Sequence, residues 1–97
     1  MKVSKYVLVD EDIPIKSVKL LQLKLGYKTK KQLYIVCTSY KEGELFHIIK
    51  SNYIDHHYKN CYVVAIARTK EKAIDYVAQL IDELYNIKTK TYDMLMR

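Results

Sequence analysis

Cys61-Tyr62-Val63-Val64-Ala65-Ile66-Ala67 is a nearly continuous apolar run, and it constrains the fold more than any other stretch of the chain. A strand with no polar face has to be covered on both sides, which predicts a central position in a sheet with a layer on each face. The run leads directly into a helix. Thr69 is a good N-cap, and Lys70 to Tyr85 places Ile74, Val77, Ala78, Ile81, Leu84 and Tyr85 at helical spacing, which predicts one apolar stripe packed on the sheet. With 97 residues in all, a second core has no room, so residues 1–97 are expected to form a single compact domain.

The remaining segments fill in the sheet. Val3 to Val9 is rich in Val, Leu and Tyr and runs into Asp10-Glu11-Asp12, a strand and then a turn. Leu33 to Ser39 and Glu44 to Lys50 have strand composition and are joined by Tyr40-Lys41-Glu42-Gly43, which predicts a hairpin. Ile13 to Leu25 fits two periods: Ile15, Val18, Leu21 and Leu25 follow a helix, whereas Leu21, Leu23 and Leu25 alternate like a strand. Asp12 as a cap, Pro14 in a first turn and Gly26 at the stop favour the helix. Leu20 and Leu23 then lie off its main stripe, to be buried by a second layer or by a partner, a second copy included. Ser51 to Asn60 reads as a polar, aromatic loop. Asn86 is expected to end the last helix in the left-handed conformation, leaving Ile87 to Arg97 as a docked extension or a tail. The expected class is α+β, a mostly antiparallel sheet of about four strands with two helices, in the order β-α-β-β-β-α.

Charge is uneven along the chain. The net charge is +6, and residues 1–31 hold eight basic residues against three acidic ones. No run approaches the roughly 18 to 20 apolar residues of a membrane span, no signal-peptide core precedes Asp10, and two cysteines cannot build the disulfide framework of a small secreted domain. A reduced cytoplasm is therefore expected, and the abundance of Lys, Ile and Tyr, which looks like coding from an AT-rich genome, points to a bacterial cell.

All three histidines fall between His47 and His57, close in sequence to Cys61. Two readings of this group stand. In one, His56 and His57 are solvent-facing loop residues, His47 is a half-buried strand residue and Cys61 a small core hydrophobe. In the other, His47, His56 or His57, and Cys61 hold a structural zinc ion, with Asp55 or Cys37 completing the tetrahedron; the spacing from His57 to Cys61 permits chelation from a loop turning into a strand. Nucleophilic catalysis by Cys and His is not expected, because Cys37 and Cys61 sit in apolar strand contexts that raise a thiol pKa. The chain also has only Gly26 and Gly43 with which to build an anion-cradling turn.

Two groups of residues suit macromolecular contact. Lys24, Lys28, Lys30 and Lys31, interleaved with Tyr27, combine positive charge with a ring able to stack on a base, a pattern compatible with direct nucleic-acid binding. Tyr53 and Tyr58 lie in the irregular loop, where large amphipathic rings serve contact with a protein partner better than core filling.

The segment Cys61 to Ile74 (CYVVAIARTKEKAI) resembles the closing strand-turn-helix of small α+β proteins of phages and mobile elements. Some of these are anti-CRISPR inhibitors that block an effector nuclease of host defence. The resemblance transfers no individual functional residue. It implies a non-enzymatic, stoichiometric binder of a host protein, with direct nucleic-acid binding through the basic N-terminal third as the alternative.

Overall fold

The computed structural model describes residues 1–11, 13 and 33–97. Within them the chain forms β1 (Lys2–Val9), β2 (Tyr34–Thr38), β3 (Phe46–Lys50), two 3-10 turns at Ser51–Tyr53 and His56–Tyr58, β4 (Tyr62–Ala67), α1 (Lys70–Tyr85) and the four-residue helix α2 (Tyr92–Leu95). The helix expected from Ile13 to Leu25 lies, apart from Ile13 itself, outside the described residues. No described helix is long and apolar enough to cross a membrane.

The four strands form one sheet in the order β1-β4-β2-β3. As its apolar run requires, β4 is central, and Val63 to Ala67 are fully buried. The expectation of a mostly antiparallel sheet needs correction. β2 pairs antiparallel with β3 and with β4, but β1 runs parallel to β4, so the sheet is mixed. Hairpin chemistry reveals only pairings between neighbours in sequence, whereas β1 reaches β4 across about fifty residues of intervening chain.

A bulge distributes β4 between the two faces. Val36 pairs with Ala65 and Cys37 with Val63, which leaves Val64 as an extra residue. Strict alternation would send Val64 and Ala65 to opposite sides. With the bulge, both enter the core under α1, among Val36, Ala67, Ala73, Leu80 and Leu95. Val63 and Ile66 instead join Ile13, Leu33, Ile35 and Ile54 on the other face.

The hairpin between β2 and β3 turns at Gly43, whose φ of +86° is open to glycine and strained for other residues. At the far end of the pair the buried Ser51 makes a two-way tie to Leu33: its Oγ accepts from the Leu33 N–H at 3.0 Å, and its own N–H donates to the Leu33 carbonyl at 2.7 Å. That tie satisfies backbone groups which the sheet would otherwise bury unpaired.

α1 occupies the span read from the sequence, and the Thr69 hydroxyl accepts from the Lys72 N–H at 3.1 Å as an N-cap should. Its rotation differs from the expected one. Ala73 and Leu80 are buried and Tyr76, Val77 and Leu84 pack beside them, while Ile74, Ala78, Ile81 and Tyr85 face outward. At 100° per residue the two groups are centred about 100° apart. The apolar arc of α1 is therefore wider than the strip the sheet covers. Asn86 keeps a right-handed conformation, and the left-handed residue is Lys88, with φ of 59°.

The C-terminal segment docks. Thr91 caps α2, Leu95 is fully buried, the Tyr92 hydroxyl donates to the Leu45 carbonyl at 2.7 Å, and Lys90 pairs with Glu83 at 2.8 Å. The register of β1 against β4 breaks between Val3 and Leu8, and within that stretch the Lys5 N–H donates to the Arg97 carbonyl at 2.8 Å. The end of the chain thus blunts the outer edge of the sheet.

Candidate functional site

The loop from Ser51 to Asn60 and the hairpin turn bring a ring cluster together at one end of the sheet. Tyr40 is its hub: its ring centroid lies 5.4 Å from that of His47, 5.7 Å from His57 and 5.2 Å from Tyr58. The contacts to His47 and Tyr58 are edge-on, the arrangement that ring quadrupoles favour. Tyr58 is half-buried, and its hydroxyl stands 3.5 Å from His47 Nδ1. His47 Nε2 meets the Glu44 carboxylate, and this contact is the leading cause of a Glu44 pKa below the ordinary value. Burial pushes the Tyr58 phenol up to about 12.

His56 and His57 lie at the outer rim, both exposed, with ring centroids 4.2 Å apart. Asp55 caps the 3-10 turn that carries them. Its Oδ1 accepts from the His57 N–H at 2.9 Å and stands 3.0 Å from His57 Nδ1. The backbone hydrogen bond is the main reason the Asp55 carboxyl titrates below its usual range. One potential ligand atom each from Asp55, His56 and His57 lies within 4.8 Å of the others; among the described residues this is the one such group of three.

The other residues considered for zinc sit elsewhere. His47 belongs to β3 and engages Glu44 and Tyr58. Cys61 is buried beside Thr38, and burial raises its thiol pKa. Cys37, fully buried in β2, is pushed up to about 12 by burial and by the neighbouring Cys61. Both thiols are free, and burial works against the thiolate, the form that binds metal or attacks a carbonyl, most of all at Cys37.

Of the residues singled out for partner contact, Tyr53 is two-thirds exposed, with Lys50 Nζ 6.0 Å from its ring centroid, whereas Tyr58 is committed to the ring cluster. Lys24, Tyr27, Lys28, Lys30 and Lys31 lie outside the described residues. A cleft at the carboxyl ends of β1 and β4 is lined by Val9, Asp10, Glu11, Arg68, Lys72 and Tyr76. Both oxygens of Asp10 are engaged there, one by the Arg68 N–H at 2.9 Å and one by the Tyr76 hydroxyl at 2.7 Å. That carboxylate ties β1 to α1.

The outer face of α1 is the feature that sequence reading assigned to the core. Ile74 is 49% exposed, Ile81 39%, Tyr85 58% and, just beyond the helix, Ile87 59%. Ala78 is exposed between them. On the helical wheel Glu71, Asp75 and Asp82 form one continuous flank of this stripe. This face thus presents large apolar side chains along an acidic flank, with the exposed Lys70 at its other border. The width of the apolar arc was visible in the sequence; which part of it the sheet would cover was not.

Against family models, curated proteins and solved structures, the chain has no match.

Proposed function

We propose that this chain is a protein-binding module whose outer α1 face, Ile74, Ala78, Ile81 and Tyr85, seats an apolar ridge on a partner protein with a basic border. The observation that carries this reading is the exposed apolar stripe beside Glu71, Asp75 and Asp82. Charge complementarity selects the partner. A basic border would pair with the acidic flank, steering the encounter and fixing register. A second copy of α1 packed antiparallel would set each acidic flank against itself, which disfavours that mode of self-association. Nucleic-acid-processing enzymes carry basic surfaces of the kind required, and an effector nuclease is the partner class that joins this face to the resemblance of Cys61 to Ile74. The module acts by occupancy, and its yield of effect is stoichiometric.

The test compares the full chain with Ile74→Glu/Ile81→Glu as bait in cell extract, with circular dichroism confirming equal folding. Expected is a co-purifying protein held by the wild type, released by the double variant and weakened by salt. A partner bound equally by both baits, or a wild-type chain that sediments as a dimer disrupted by the substitutions, would overturn the assignment.

A further inference from the structure

We propose that Asp55, His56 and His57 form an open surface site for a borderline divalent transition metal such as zinc or nickel, with water completing the coordination shell. The site is independent of the α1 face. Its donor atoms already stand close together. Asp55 Oδ1 and His57 Nδ1 are 3.0 Å apart, close to the separation of two donors that share one ion at about 2.0–2.1 Å from each; without an ion the Nδ1–H donates to Oδ1 across this gap, and an ion bound there displaces that proton to solvent. The His56 ring, its centroid 4.2 Å from that of His57, supplies the third donor, and the three ligand atoms lie within 4.8 Å of one another. Rotation of the exposed side chains closes the remaining gap.

The support behind these ligands is built into the turn. The Asp55 carboxylate is oriented by the His57 N–H at 2.9 Å, and the Tyr40 ring lies against His57 at 5.7 Å between centroids. Such outer contacts limit the orientations a ligand samples. Imidazole and carboxylate donors suit zinc and nickel, whereas thiolate is absent from the group. Two imidazoles and one carboxylate leave a fourth position to solvent, the composition of an open site. Binding at three exposed residues should be of modest affinity.

The experiment uses the full chain, without an affinity tag, stripped with chelator and titrated with zinc chloride and with nickel chloride by calorimetry, alongside NMR of the histidine ring protons. Expected is one ion per chain. Affinity should drop about tenfold or more in His56→Ala and in His57→Ala, and nickel should broaden the His56 and His57 resonances well before those of His47. His47→Gln and Cys61→Ala should titrate as the wild type does. Absence of saturable binding up to about 100 times the protein concentration, survival of binding in His56→Ala/His57→Ala, or loss of binding in Cys61→Ala with the turn intact by NMR would each overturn the assignment.

Discussion

Tyr76 donates its hydroxyl to the Asp10 carboxylate at 2.7 Å, joining the middle of α1 to the end of β1. Burial and the neighbouring Asp10 push this phenol up to about 12, so the folded protein holds the proton more tightly than an unfolded chain, whose tyrosines titrate near 10. The native state then binds more protons between these values, and stability falls as pH rises through that window. Tyr58, raised to about 12 by burial, acts in the same direction. Cys37, pushed up to about 12, and Cys61, also raised, add to this from the ordinary thiol range upward, so urea midpoints should begin to decline above about pH 8.5 and fall more steeply above about 10, where the tyrosines contribute. In Tyr76→Phe the decline should be shallower, at a cost of about 1.5 to 3 kcal/mol at neutral pH for the lost hydrogen bond to a charged acceptor. An unchanged alkaline slope in that variant would remove Tyr76 as its source.

The orientation of α1 is open to a direct contrast. Leu80 is almost fully buried and Ile81, its neighbour, 39% exposed. Leu80→Ala should cost about 2 to 5 kcal/mol, the range for buried large-to-small changes. Ile81→Ala and Ile74→Ala should stay within about 1 kcal/mol, since both side chains are already substantially in water. Equal losses at positions 80 and 81 in denaturant melts would mean that the helix sits differently on the sheet.

Leu95 anchors the C-terminal helix in the core under α1. Leu95→Ala should destabilise by about 2 to 5 kcal/mol, and the Lys5 amide, which donates to the Arg97 carbonyl, should lose hydrogen-exchange protection in step. A Lys5 amide that exchanges equally fast in both proteins would show that the tail does not hold the edge strand.

Thiol chemistry checks the core around β2 and β4. Cys37 and Cys61 are both buried with raised pKa values, so a disulfide dye at about pH 8 should label the native protein at the rate of global or local opening and label two thiols at once in strong denaturant. Prompt labelling of either cysteine in the native state would contradict the burial seen here.

Legibility in the sequence followed the range of the interaction. The Thr69 cap, the bounds of α1, the hairpin of β2 and β3 and the central place of β4 all depend on residues close together in the chain or on one strand's composition. The parallel pairing of β1 with β4 rests on contacts between residues about sixty apart, and the bulge at Val64 depends on the partner strand; neither leaves a local mark. The rotation of α1 is hidden from the sequence for a related reason. Ile74, Val77, Ala78, Ile81, Leu84 and Tyr85 share one broad arc, and only the sheet decides that Val77 and Leu84 turn inward while Ile74 and Ile81 do not. At the histidine loop, composition drew attention to His56 and His57, but the grouping with Asp55 comes from a 3-10 turn, and Cys61 is carried into the core by β4.

The bond from Lys5 to Arg97 also has a consequence for biosynthesis. The backbone partners of β1, namely β4 and the segment ending at Arg97, are translated about fifty and ninety residues after it, so its hydrogen bonds wait on chain made much later. Until then the backbone groups of Lys2–Val9 have no strand to pair with, and Lys2 and Lys5 place like charge on a segment of the kind that invites edge-to-edge association.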